Sequence, residues 1–161
     1  MRIEQLMTKS TKTCQPDQTL SEASQIMWEN DYGCLPVTEA NGAQRLLGVI
    51  TDRDICLAMR FQGAAPNELR VADVMAKGVH ACNRDDPVAE ARTIMREIRV
   101  RRLPVVDASE RIIGLISLAD LAQEAVRQDS SPNSEVTQAE IGSLLAAICE
   151  PRDHVWDSST T

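Results

Sequence analysis

Thr51 and Asp54 stand three residues apart behind Gly48, and Ser117 and Asp120 repeat that spacing behind Gly114. A Thr or Ser hydroxyl can donate to a phosphate oxygen, and a carboxylate can accept from two neighbouring hydroxyls, as on a ribose. Each pair sits where an apolar, strand-like run ends and a helical pattern begins. A helix N-terminus presents unpaired N–H groups and a partial positive charge, so anions are favoured there. Phosphate donor and ribose acceptor at fixed spacing suit a nucleotide better than a bare anion. The plainer reading is that each hydroxyl and carboxylate only cap a helix. Recurrence at matched positions weighs against it, although duplication would also copy a cap.

Both segments belong to a larger repeat, and a repeat governs the whole fold. Ile3-Glu4-Gln5-Leu6-Met7 returns as Val71-Ala72-Asp73-Val74-Met75, and Leu35-Pro36-Val37 as Leu103-Pro104-Val105, all 68 positions on. After a loop two residues shorter in the second copy, the offset becomes 66, which aligns residues 48–54 with 114–120. Two units cannot form a solenoid, so a pseudo-twofold pair packed face to face is expected. Each unit reads as strand, helix, strand, strand, helix, an α/β (α+β) pattern.

The units span residues 1–62 and 69–127, with a linker from Phe61 to Leu69 carrying Gly63, Pro66 and Asn67. Thr19 and Glu22 form a capping box ahead of Leu20, Ala23, Ile26 and Met27 at helical spacing. Asp86-Pro87 opens the matching helix with a capping acid and a first-turn proline. These helices should stop near Asp31 and Arg99, and further helices should begin at Asp54 and Asp120. Asn41-Gly42 signals a hairpin. Residues 128–161 read as a polar linker, a helix capped by Thr137 and Glu140, and a frayed tail. That helix carries Ile141, Leu144, Leu145 and Ile148 as one stripe, which needs a partner on this chain or another copy.

Composition narrows the function. Only Trp28, Tyr32, Phe61 and Trp156 are aromatic, so the core is aliphatic. A net charge of −7 argues against a nucleic-acid binder. No apolar run reaches signal-peptide or membrane-spanning length, and five scattered cysteines without a C-x-x-C pair suit reduced thiols, so a cytoplasmic protein is expected. Cys14 and Cys82 fall at matched strand positions, as packing residues would. No paired nucleophile and base, and no metal-binding cluster, points to an enzyme.

The pattern Gly, apolar, any, Thr or Ser, two of any, Asp, complete in both copies, resembles the tandem CBS-domain pair, or Bateman module, over nearly all of residues 1–126. Leu35-Pro36-Val37 and its copy match that family's second-strand motif. The resemblance implies a regulatory module that binds an adenosine compound (AMP, ADP, ATP or S-adenosylmethionine) between its units and needs no resident cofactor. Thr51 and Ser117 would contact phosphate or sugar, and Asp54 and Asp120 would hold ribose hydroxyls. One cleft would join Thr51, Arg53 and Asp54 to Met75, His80, Val100, Arg101 and Arg102. The other would join Ser117 and Asp120 to Met7, Lys12, Tyr32, Gly33 and Cys34. It also implies a homodimer, paired through the helices after each motif with Ile55, Leu57, Ala58, Leu121 and Ala122; the C-terminal stripe is available to extend that interface. Output would pass to an effector protein; a ligand-free interaction dimer is the alternative.

The clefts are chemically unequal, since Arg101-Arg102 stands where the first copy has Gly33-Cys34, and Arg53 where the second has Ala119. Guanidiniums hold phosphates bidentately. Arg101 and Arg102 directly precede a strand, so one of them should face inward. Arg92, Arg96 and Arg99 sit at helical spacing near Glu90 and Glu97, the pattern of a solvated face. His80, placed in the second unit's first strand, lacks neighbours for a metal role.

Overall fold

The structure, a computed structural model, describes residues 1–40, 42–128 and 135–151. Asn41 of the hairpin signal, most of the 128–136 linker and the tail from residue 152 lie outside the described residues.

Two sheets form the framework. In the first unit, α1 (Leu20–Asn30) is followed by β2 (Cys34–Thr38), β3 (Leu46–Thr51) and α2 (Asp52–Gln62), preceded by the short β1 (Thr8–Lys9). The second unit has α3 (Val71–Val74), β4 (Ala76–Lys77), β5 (Cys82–Asn83), α4 (Val88–Ile98), β6 (Arg102–Val106), β7 (Ile112–Ser117) and α5 (Leu118–Gln128). A final helix, α6, spans Gln138–Cys149.

The units exchange their first strands. β1 pairs with β7 of the other unit (Lys9 opposite Gly114), and β4 pairs with β3 (Lys77 opposite Gly48). The sheets therefore run β1-β7-β6-β5 and β2-β3-β4. Ile3 is buried in the second unit's core, and Leu69 and Val71 in the first's. The hairpin loops also meet: Arg45 bridges Arg111 and forms a 2.6 Å ion pair with Glu110. These exchanges obey the pseudo-twofold relation that the repeat predicts.

The exchange explains the motif glycines. A Cβ at Gly48 would collide with the Ala76 carbonyl oxygen, and one at Gly114 would lie 2.6 Å from that of Thr8. Both obstacles are backbone of the crossing strand, so only glycine lets it approach.

Local expectations hold at most helix ends. The Thr19–Glu22 and Thr137–Glu140 capping boxes form, and α1 and α4 stop at left-handed Asp31 and Arg99. Four readings need correction. Helices α2 and α5 start at Asp52 and Leu118, two residues before the expected Asp54 and Asp120. Pro87 sits at the N-cap of α4 with no side-chain cap, because the Asp86 carboxylate accepts from the Asn83 N–H at 2.8 Å instead. His80 lies in the coil between β4 and β5, not in a strand. Phe61, expected in the linker, belongs to α2, which Gly63 ends at φ +64°.

The α6 stripe finds its partner on its own chain. Leu144 and Ile148 are buried with the second unit's core, between α4 and α5, and Arg92 pairs with Glu140 at 2.7 Å. Leu145 alone of the stripe is left exposed. Burial of the stripe is therefore supplied largely within the chain.

Candidate functional site

Strand β3 ends at Thr51, whose extended backbone turns the chain into α2. The Thr51 N–H and Oγ1 donate to Asp54 Oδ2 at 2.9 and 2.7 Å, and Thr51 Oγ1 accepts from the Asp54 N–H at 3.2 Å. Ser117 and Asp120 reproduce these bonds at 2.7, 2.6 and 3.2 Å. Both pairs are thus capping boxes, as the plainer reading required. The cap uses only one carboxylate oxygen: Asp54 Oδ2 takes both bonds, no hydrogen bond to Oδ1 is formed among the described residues, and Asp54 lines a cleft. The Thr51 hydroxyl proton is committed to Asp54, so in this arrangement Thr51 orients the carboxylate rather than reaching outward.

The cleft has a volume of about 730 Å³ and lies between the units. It gathers Thr51, Arg53 and Asp54 from the first unit with His80, Val100, Arg101 and Arg102 from the second. Met75, expected beside them, instead packs beneath β3, where its Sδ would lie 3.3 Å from a Cβ at Gly48.

Neither of the two cavities gathers the residues expected in the other cleft. Gly33 and Cys34 line the Asp54 cleft, because Cys34 stands opposite Thr51 in the β2–β3 ladder and so borders its own unit's motif. Tyr32 lines a separate cavity of about 450 Å³ beside α1 and α2, with Trp28, Asp52 and Ile55. Met7 packs against Gly114 and the second core, as Met75 does against Gly48. Lys12 is exposed in coil. Ser117 and Asp120 line neither cavity.

Charge in the cleft is mixed. Arg53, Arg99, Arg101 and Arg102 face Asp52, Asp54 and Glu150. Arg102 crosses from its own sheet, with Nη1 lying 3.6 Å from where a Cβ at Gly33 would be. Burial pushes the Cys34 thiol up to about 11, with Arg102 opposing the shift and Asp54 and Asp52 adding to it. A thiol so held is packing, not a nucleophile. Arg99 was hidden in the sequence by its helical spacing. As the left-handed C-cap of α4, φ 55°, it leaves the helix face and lines the cleft. Ile148 and Glu150 of the C-terminal segment, also unforeseen, complete the wall.

The CBS domain family matches residues 3–60 and 71–127. The chain belongs to the CBS-domain family. It is 32% identical over 129 residues to the CBS domain-containing protein YhcV from Bacillus subtilis (strain 168), covering 80% of this chain and 89% of YhcV. A conserved CBS domain protein of unknown function from Thermoplasma acidophilum superposes with a TM-score of 0.75 at 26% identity, over 91% of this chain and 75% of that one. A CBS domain protein from Pyrobaculum aerophilum, solved in complex with AMP, shares the fold with a TM-score of 0.69 at 22% identity, over 75% of this chain and 90% of that one. The tandem CBS pair thus has the expected α+β fold, and no helix among the described residues is long and apolar enough to cross a membrane.

Proposed function

We propose that this CBS pair is a cytoplasmic regulatory module, not an enzyme, that binds an adenosine-containing ligand in the Asp54 cleft and signals to a partner protein. One observation carries this reading. Asp54, with one carboxylate oxygen outside its cap, shares a single cleft with four arginines contributed by both units. Asp54 Oδ1 would accept from ribose hydroxyls, Thr51 would hold that carboxylate in place, and Arg53, Arg101 and Arg102 would take phosphate oxygens. Val100, Gly33 and Cys34 would contact the base or sugar, and His80 the rim. AMP, ADP, ATP and S-adenosylmethionine all fit this scheme, and the AMP complex of the Pyrobaculum protein supports it by likeness of fold.

Because the ligand would touch both units, it can bias how they pack, provided it binds one packing better than another. The Ser117–Asp120 motif, with fewer cations nearby, would serve a weaker site. Thermal denaturation with each adenosine compound tests the reading. Ligand at 100 times its dissociation constant stabilises by ~2.7 kcal/mol, a shift of roughly 5–10 °C for a chain of this size. No shift with any of them would leave the ligand-free interaction dimer as the better account.

We also propose a homodimer, with an altered contact set. Ile55, Ala58 and Leu121, expected at the interface, are buried within the chain. The exposed apolar residues beside them are Leu57 and Phe61 on α2 and Val126 on α5. An exposed aromatic next to other apolar side chains suits a partner surface.

A further inference from the structure

Helix α6 lies beyond the residues matched to the CBS family, yet its end builds part of the cleft wall. Leu144 and Ile148 anchor the helix in the second core, and the Arg92–Glu140 pair fixes its first turn. Residues 149–151, from the last residue of α6 onward, are gripped by two arginines of the cleft. Arg99 Nη2 donates to Glu150 Oε2 at 3.1 Å, and its Nη1 donates to the Pro151 carbonyl at 3.3 Å. Arg101 Nη2 donates to Cys149 Sγ at 3.9 Å. Two of the four cleft arginines are therefore already engaged by the chain's own C-terminal segment.

The main engagement is weak and charged. The Glu150 side chain is 63% exposed, and ion pairs this exposed are among the weakest in folded proteins. A terminal phosphate brings greater charge and three acceptor oxygens to the same guanidinium. We propose that residues 149–151 are a phosphate-sensitive latch on the cleft, with the Glu150 carboxylate holding Arg99 until a phosphate takes it. The latch rests on the adenosine-ligand reading and sharpens it. Glu150 sets the preference between phosphorylated and unphosphorylated ligands, and phosphate binding frees the end of α6 for a partner to detect.

Calorimetry with adenosine and with ATP on the full chain, Glu150→Gln, Arg99→Gly and the double variant tests this. Glycine suits the positive φ at position 99, so Arg99→Gly keeps the helix end. The latch requires Glu150→Gln to raise the ratio of ATP to adenosine affinity about threefold or more, given what exposed pairs contribute. In the Arg99→Gly background the same change should lose most of that effect. Hydrogen exchange at residues 146–151 should quicken with ATP and not with adenosine. An equal gain with and without Arg99 would show that the carboxylate merely repels phosphate, and would overturn the latch. ATP binding that Glu150→Gln leaves unchanged would overturn the latch alone. Failure of all four proteins to bind either ligand would overturn the adenosine reading and the latch together.

Discussion

Arg102 stands opposite Ser117 in the β6–β7 ladder, but its guanidinium reaches the other unit and lies over Gly33. A Cβ at Gly33 would sit tightly against Asp52 Oδ2, at 3.1 Å, and in ordinary contact with Arg102 Nη1, at 3.6 Å. The arginine of one unit thus enters the cleft of the other. Phosphate is the group such an arginine would serve. Arg102→Ala should weaken ATP binding roughly five- to tenfold, an exposed charge-assisted bond being worth about 1 kcal/mol. Adenosine, without phosphate, should bind nearly as before. Equal losses for both ligands in calorimetry would mean that Arg102 shapes the cleft rather than reading phosphate.

Asp54 and Asp120 allow a matched comparison, because both make the same three capping bonds and only Asp54 lines the cleft. Alanine at either position removes one capping box and should cost a similar ~1 kcal/mol of stability. Binding should separate the two. Asp54→Ala should weaken the tighter site by tenfold or more, whereas Asp120→Ala should leave it intact. Loss of the tighter site in Asp120→Ala would place the ligand in the other half of the module.

Much of this was legible in the sequence, and the gaps have physical causes. The repeat offset disclosed the pseudo-twofold pair, and the capping boxes at Thr19 and Thr137 disclosed two helix starts. Pairing between units was not legible: nothing local in residues 8–9 or 76–77 says that they cross to the other sheet, although Gly48 and Gly114 record it. Repeat position alone does not place Gly33 and Cys34 in the Asp54 cleft, because strand register, which sets Cys34 opposite Thr51, decides that they border their own unit's motif. Arg99 read as one member of a solvated face, since helical spacing cannot show that the helix ends in a left-handed residue there. Ile55, Ala58 and Leu121 show the converse limit. An apolar residue on a helix must be covered, but periodicity alone does not say by which molecule.

Gly48→Ala offers a test of the strand exchange. The new methyl would meet the Ala76 carbonyl, which cannot rotate away as a side chain could. Overpacking against fixed backbone should destabilise by about 2–3 kcal/mol. Gly142→Ala is the control, since nothing lies near its absent Cβ and alanine favours a helix. Urea denaturation should show a lowered midpoint for Gly48→Ala and an unchanged or raised one for Gly142→Ala.

Phe61 tests the assembly. It is 78% exposed on α2 and contributes little to the fold of one chain. Phe61→Glu should therefore leave the melting temperature of the isolated chain nearly unchanged while splitting a dimer built on α2. Light scattering at tens of micromolar, roughly the range where a stable interface persists, should give a dimer for the natural chain and a monomer for the variant. An unchanged dimer would place the interface elsewhere.

The thiols give the chain a pH dependence with a definite sign. Burial pushes Cys14 and Cys82 up to about 12 and Cys34 to about 11, from an ordinary thiol value of 9.0. The native state therefore keeps these protons in a range where the unfolded chain releases them. Their contribution to stability is fully present below about pH 9 and is lost as the pH rises toward 11–12. Urea denaturation at increasing pH should show the midpoint falling above pH 9, and falling less in the Cys14→Ala, Cys82→Ala double variant. Cys56 and Cys149 are exposed while the other three are buried. A thiol reagent at pH 8 should accordingly label two cysteines quickly in the folded protein and all five after unfolding. Rapid labelling of Cys14 or Cys82 in the native chain would show that these strands open readily, and the predicted alkaline loss of stability would then shrink.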